Sequence, residues 1–192
     1  MTYHLRRAAD DQLGLLLDRP YLIEQFLLGD AREQRMKTTG LSGMLVEKFG
    51  FGRIAPPIAW ACGDGDDLML DKAWHGIHFL LTGSAERTGG PLSLLLEEWP
   101  EIGDVQIGWR PAVAINAAAM SDFNEALEGT AVRDLRDRYD TRRMAAEDVY
   151  LADSFDEDRE QGFHYLTHWI AGLRIFAAHC AARRSGAVGY LT

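Results

Sequence analysis

Residues 70–83 read LDKAWHGIHFLLTG, and this stretch decides the fold. The side chains that recur here at spacings of three and four residues are Leu70, Ala73, Trp74, Ile77, His78 and Leu81. Such spacing predicts a helix over Leu68–Thr82 with one strongly apolar face, and Gly83 ends it. We therefore expect a buried helix in the middle of the chain.

Short strands are predicted on either side of this helix and at both ends of the sequence. Tyr3–Arg7 alternates between apolar and polar side chains, and Ala187–Leu191 is predicted to be a closing strand. Bulky and β-branched residues predict a third strand over 106–115, in which Pro111 indicates an edge or a bulge. The sheet is therefore expected to be small and to include both terminal strands.

Helices are predicted to fill most of the remaining chain. Asp10 and Asn116 each precede an apolar periodic stretch and are predicted to cap a helix. Residues 154–157 read SFDE, the pattern of a capping box, and predict that the longest helix runs from Asp156 to about Arg184. The glycine-rich segment from Thr38 to Gly52 is expected to be the least regular part of the chain.

Composition places the chain among soluble globular proteins. Its 192 residues are 47% hydrophobic and 26% charged, and the formal net charge is -9. That charge argues against nucleic acid and against an anionic membrane surface as partners, because both require clustered Lys and Arg. No run approaches the roughly 18 apolar residues that a membrane span needs. Cys62 and Cys180 match no metal-ligand spacing, so a reduced cytoplasm is the expected location.

Histidine pairs are the residues that most resemble a metal site. His75 and His78 are three apart and His164 and His168 are four apart, so each pair can share one helix face. No acidic residue completes a familiar ligand set, and we predict neither a metal nor another cofactor. Asp64-Gly65-Asp66-Asp67 is predicted to be a solvated turn.

Tryptophan is abundant, and most of the five tryptophans are expected in the core. Trp99 and Trp109 lie beside prolines in irregular segments. They are therefore the better candidates for lining a pocket or an interface.

The central stretch Leu70–Gly83 resembles the signature of the YfbM-like family of bacterial proteins. Further segments resemble family features in the expected order: Gly90-Pro91-Leu92, Gly108-Trp109-Arg110-Pro111-Ala112, Arg138-Tyr139-Asp140, Val149-Tyr150 and Ala187–Leu191. The resemblance implies one compact α+β domain over residues 1–192, mostly helical, with a small sheet that includes the N- and C-terminal strands and a long C-terminal helix. The family is one of unknown function, so it supplies no catalytic residue.

Two functions are open from the sequence. The leading one is a soluble, cytoplasmic, non-catalytic binding module for a protein partner or a small molecule. Its candidate ligand-binding residues are Asp71, Lys72, Trp74, His75, His78 and Trp109. The alternative is a small hydrolase or transferase in which Asp71 and His75 form an acid–base pair. A purely structural role is also open, in which His75 and His78 bond loop carbonyls.

Overall fold

The computed structural model describes residues 1–28, 60 and 63–192. Within them, an antiparallel sheet contains β1 (Tyr3–Ala8), β2 (Asp67–Met69), β3 (Glu101–Ile107), β4 (Arg110–Ile115) and β5 (Gly186–Leu191). The strand order is β2-β1-β5-β4-β3, so the two terminal strands lie side by side. Their register runs from Tyr3 opposite Leu191 to Ala8 opposite Gly186. The irregular segment predicted from Thr38 to Gly52 lies outside the described residues.

Helices account for most of the rest of the described chain. They are α1 (Asp10–Asp18), α2 (Ile23–Leu28), α3 (Trp74–Thr82), α4 (Ala117–Glu128), α5 (Val132–Arg138), α6 (Thr141–Ala146), α7 (Ala152–Glu157) and α8 (Arg159–Ala182). Short 3-10 turns cover Pro20–Leu22, Asp71–Ala73 and Pro91–Ser93. The predicted α+β class is confirmed, including a mainly helical chain, terminal strands in the sheet and a long C-terminal helix. No helix in the described ranges has the length and apolar character to cross a membrane.

Alternating side chains give the sheet a core on each face, because successive residues of a strand point to opposite sides. In β4, Val113 and Ile115 join the larger core, whereas Ala112 and Ala114 join the smaller one. The larger core contains the buried residues of α3, α4 and α8, and the smaller contains those of α1 and α2. The sheet is therefore covered by helices on both sides.

The central helix begins later than the sequence predicts. Residues 67–69 form β2, which pairs with β1, and α3 starts only at Trp74. Between them Asp71 has a left-handed backbone with φ of 48°, which an α-helix does not tolerate. The prediction of one helix over Leu68–Thr82 was wrong at its start and correct at its end, where Gly83 has φ of 78°.

The strand predicted over 106–115 is a hairpin of two strands. Gly108 has φ of 84° and lets the chain reverse between β3 and β4. The backbone N–H of Trp109 in this turn donates to Leu191 O at 3.0 Å. Pro111 is tolerated in β4 opposite Gln106, close to this turn.

Two predicted helix caps were wrong and one was correct. Asn116 Oδ1 accepts the Ala119 N–H at 2.8 Å, as predicted. Ser154 lies inside α7, and Asp158 caps α8 by accepting the Gln161 N–H at 3.0 Å. Asp158 can take the capping role predicted for Ser154, because Asp and Ser are similarly favoured at the N-cap.

Asp10 caps a different helix from the one predicted. The residue before α1 is Ala9, whose N–H donates to Gln12 Oε1 at 2.9 Å. Asp10 Oδ1 instead accepts the N–H of Ala117, the first residue of α4, at 3.0 Å. This contact ties α4 to the start of α1.

A pair of glycines tests the strand packing. A methyl carbon added at Gly186 would lie 2.1 Å from Ile115 O, at the point where β5 meets β4. Gly186→Ala is therefore expected to lower the free energy of unfolding by more than about 2 kcal/mol, measured in urea. Gly14→Ala is the control, since nothing lies within 4 Å of its added carbon. It should raise stability by about 0.5–1 kcal/mol. Equal stabilities would contradict the close strand contact.

Candidate functional site

Both ring nitrogens of His75 are occupied by backbone groups. Its Nδ1 accepts the Tyr150 N–H at 3.0 Å, and its Nε2 lies 2.9 Å from Ala85 O, to which it donates. These partners fix the neutral imidazole with its proton on Nε2. The ring also stacks on Trp74, with centroids 5.1 Å apart. His75 therefore connects α3 to two loops.

His78 has no exposed surface. Its Nε2 donates to Glu86 O at 3.0 Å, and its Nδ1 has no hydrogen-bond partner among the described residues. Burial lowers the pKa of this imidazole below its ordinary value, although the Glu86 carbonyl acts in the opposite direction. The side chain is thus a neutral donor to the same loop that His75 contacts.

The loop after α3 depends on these histidines for its position. Its Ala85 N–H also donates to Glu147 Oε2 at 3.0 Å. Further along, the Thr88 N–H donates to Ser93 Oγ at 3.3 Å. The loop then enters the 3-10 turn that begins at Pro91.

A groove of about 280 Å³ opens where this turn meets α4. It is lined by Gly90, Pro91, Leu94, Glu97, Trp99, Ala119 and Asp122. The indole N–H of Trp99 donates to Leu94 O at 2.9 Å, which fixes the ring within the wall. The expectation that Trp99 lines a pocket is confirmed.

Carboxylates give the groove its charge. Glu97 and Asp122 belong to its lining, on the segment after the 3-10 turn and on α4 respectively. The guanidinium of Arg87 contacts Glu97 at 3.3 Å and Glu98 at 2.9 Å. Since Arg87 is exposed, water and salt weaken this pairing. The groove therefore combines an aromatic ring with acidic oxygens.

The candidate ligand-binding residues from the sequence are placed in three regions. Trp74, His75 and His78 lie together on α3, as described above. Asp71 Oδ2 accepts the Tyr165 hydroxyl at 2.9 Å, so its carboxylate is bonded to α8, and Lys72 is exposed. Burial, followed by this hydrogen bond, raises the pKa of Tyr165 to about 12. Trp109 is 66% exposed on the β3–β4 turn.

The groove lining is mostly made of residues that the sequence analysis missed. Pro91, Leu94 and Asp122 were not among the candidate site residues. A usable signal was present, because Gly89-Gly90-Pro91 and Trp99-Pro100 interrupt the chain on both sides of an apolar run. What the sequence could not supply is the approach of α4 to this turn.

The turn predicted at residues 64–67 is present and Asp64, Gly65 and Asp67 are exposed, but Asp66 is buried, so its predicted solvation was wrong. Its side chain accepts two hydrogen bonds from Arg7, one of them from Nη2 at 3.0 Å. It also accepts the Gly63 N–H at 2.7 Å and lies 2.9 Å from His179 Nε2. The hydrogen bonds from Arg7 make the largest contribution to holding the pKa of this carboxyl well below its usual range. A salt-bridged carboxylate can be buried where a free one cannot.

Metal ligation finds little support in the described part of the chain, where no group of three or more His, Cys, Asp and Glu side chains could hold an ion. His164 and His168 are exposed on α8. His75 and His78 donate to carbonyl oxygens instead.

His75→Ala tests the connecting role of this imidazole. The variant leaves the Tyr150 N–H and the Ala85 carbonyl without their partner, so the free energy of unfolding should fall by about 2–4 kcal/mol in urea denaturation. Glu125→Ala, at an exposed position of α4, is the control and should change it by less than about 0.5 kcal/mol. A His75 that acts only in ligand binding would leave stability unchanged.

His78→Gln tests burial of a neutral imidazole, since the amide N–H can still donate to Glu86 O. The unfolded chain takes up a proton at the ordinary pKa near 6.5, whereas burial lowers the pKa of the folded imidazole below that value. The neutral His78 ring therefore makes its full contribution to the free energy of unfolding above about pH 6.5, and this contribution is lost as the pH falls below that value. We expect urea unfolding of the variant to show a smaller loss of stability from pH 7.5 to 5 than wild type. Identical slopes would contradict the buried neutral state.

Comparison with known proteins gives a family and a similar structure. A model for the domain of unknown function DUF1877 matches residues 1–190. The crystal structure of YfbM from Escherichia coli, a protein of unknown function, superposes with a TM-score of 0.60 at 15% sequence identity, covering 98% of this chain and 98% of that one. No curated protein matches the chain. The chain therefore belongs to the DUF1877 family of domains of unknown function.

Proposed function

We propose that this chain is a non-catalytic binding module whose groove receives a basic side chain of a protein partner. The observation that carries the proposal is the lining of the groove, in which Trp99 lies with the carboxylates of Glu97 and Asp122. An aromatic ring attracts a cation through its quadrupole, and a carboxylate attracts it through its charge. Together these groups match a guanidinium or an ammonium.

The apolar part of the groove suits the stem of such a side chain. Pro91, Leu94 and Ala119 provide aliphatic lining next to the two acids. Arg and Lys bury their methylene stems against apolar surface while the charged head stays in contact with polar groups. The mixed lining therefore fits a long basic side chain better than an inorganic cation.

Arg87 partly neutralises the acidic residues beside the groove, so a basic ligand would share Glu97 with it. It already bridges Glu97 and Glu98, so these carboxylates accept a guanidinium in the unliganded protein. The net charge of -9 adds a long-range field that speeds encounter with a basic partner. Association should therefore weaken as salt concentration rises.

Acid–base catalysis by Asp71 and His75 is less well supported. A general base needs a free lone pair within reach of substrate, but His75 Nδ1 already accepts the Tyr150 N–H. The Asp71 carboxylate accepts the Tyr165 hydroxyl instead of orienting the His75 imidazole. The α3 residues, including Trp74 and His78, act in this proposal by positioning the loop that leads to the groove.

The remaining sequence expectations fit the same proposal. We propose a cytoplasmic location and a partner other than nucleic acid, supported by the acidic charge and the buried free thiol of Cys180. Residues 1–192 are taken as one domain, supported by the pairing of β1 with β5.

A peptide titration tests the groove. The probe is a short peptide whose only charged side chain is one arginine, and its control carries citrulline, which has nearly the same shape without the charge. We expect saturable shifts of the Trp99 indole ¹H–¹⁵N resonance with the arginine peptide only. Arginine amide that binds as tightly as the peptide would assign the groove to small molecules instead of a protein partner.

Matched variants locate the binding. Asp122→Asn and Glu97→Gln should each weaken binding of the arginine peptide about threefold to tenfold, the range for a partly exposed charge pair. Asp137→Asn on α5 makes the same charge change at an exposed position outside the groove lining and should have no effect. Equal binding by all three variants would remove the groove from the proposal.

A further inference from the structure

The outer face of α8 is an exposed seam with coiled-coil spacing. Its members are exposed and alternate by four and three residues: His164, His168, Ala171, Ile175, Ala178 and Ala182. The opposite face of the same helix, which includes Phe163, Leu166, Ile170 and Leu173, is buried in the core. A side chain repeat averaging 3.5 residues keeps one stripe of a helix facing a partner helix.

The composition of this seam is unusual for a surface in contact with water. None of its six members is Asp, Glu, Lys or Arg, although 26% of the chain is charged. Ile175, near its middle, is 71% exposed. The outward face of a surface helix normally carries charged and polar residues. The seam therefore has the character of a surface that another helix covers.

We propose that the seam binds a second copy of this chain, with the two α8 helices packed antiparallel. A twofold axis between Ala171 and Ile175 places each bulky member opposite a small one. His164 then faces Ala182 of the second copy, and His168 faces Ala178 of the second copy. Ile175 faces Ala171 of the second copy, next to the axis. Large and small side chains that alternate across an interface allow close helix approach.

A parallel arrangement would lose this fit. It would place Ile175 opposite its own copy and each histidine opposite a histidine. The alanines would then face one another across a gap, because the bulky positions set the distance between the helices. Size complementarity therefore selects the antiparallel orientation.

Charge at the two ends of α8 favours the same orientation. Acids outnumber bases around the start of the helix, where Asp156, Glu157, Asp158 and Glu160 are exposed and the first residue, Arg159, pairs with Asp156. The exposed Arg183 and Arg184 follow its end. An antiparallel pair brings the acidic end of one copy to the basic end of the other, whereas a parallel pair brings like charges together. The helix dipoles also favour the antiparallel pair, because the positive N-terminus of each helix then lies beside the negative C-terminus of the other. Glu160 also pairs with Arg136 of its own chain, so its contribution across the interface is shared.

The proposed interface is separate from the groove. No residue of α8 belongs to the groove lining. Two copies joined along α8 would therefore carry two grooves, and a twofold interface limits the assembly to a dimer. A variant can therefore lose dimerisation and keep groove binding, or lose groove binding and keep dimerisation.

Sedimentation velocity of the full chain over a range of concentrations tests the proposal. We expect a monomer–dimer equilibrium for wild type and a dissociation constant raised at least about tenfold in Ile175→Glu, which buries a charge at the axis. The substituted side chain is exposed in the monomer, so folding is preserved. Val132→Glu on α5, where Val132 is 65% exposed, is the control and should dimerise like wild type.

Cysteine pairing tests the orientation. In the antiparallel dimer a His168→Cys chain mixed with an Ala178→Cys chain should form disulfide-linked dimers. Neither variant alone should form them, because the cysteine of one copy and the same cysteine of the other copy would lie about 15 Å apart along the helix. A wild type that stays monomeric at all concentrations would overturn the proposal. So would an Ile175→Glu chain that dimerises normally, or faster linking of the single variants than of the mixture.

Discussion

An imidazole buried in an apolar helix must find hydrogen-bond partners, and this constraint organises the centre of the molecule. The first turns of α3 place His75 and His78 beside backbone groups of neighbouring segments. The carbonyls of Ala85 and Glu86 accept the two Nε2 protons, which requires the chain after α3 to fold back over this helix. The position of the 3-10 turn at Pro91, and with it one wall of the groove, follows from those hydrogen bonds.

The sequence predicts the elements whose patterns are strong and local. The terminal strands, the buried end of α3 and the Asn116 cap depend on alternation, helical spacing and one side-chain acceptor. These signals concern neighbours along the chain, which a single sequence displays. The resemblance of the central stretch to a known family gave the fold class, and the structure confirms it.

Features that depend on contacts between distant segments could not be predicted in this way. The burial of Asp66 depends on Arg7 and His179, whose residue numbers differ from its own by 59 and 113. The groove needs Trp99 and Asp122 to meet although they lie on different elements. Capping was also ambiguous, since Ser154 and Asp158 are both good caps and the local sequence does not decide between them.

The pairing of β1 with β5 has a consequence for synthesis. β1 leaves the ribosome long before β5, which is one of its two neighbours in the sheet. The backbones of Thr2 and Thr192 exchange hydrogen bonds of 2.7 and 3.0 Å. The middle of the sheet therefore cannot assemble until β5 has been synthesised, and the apolar side chains of β1 lack this neighbour until then.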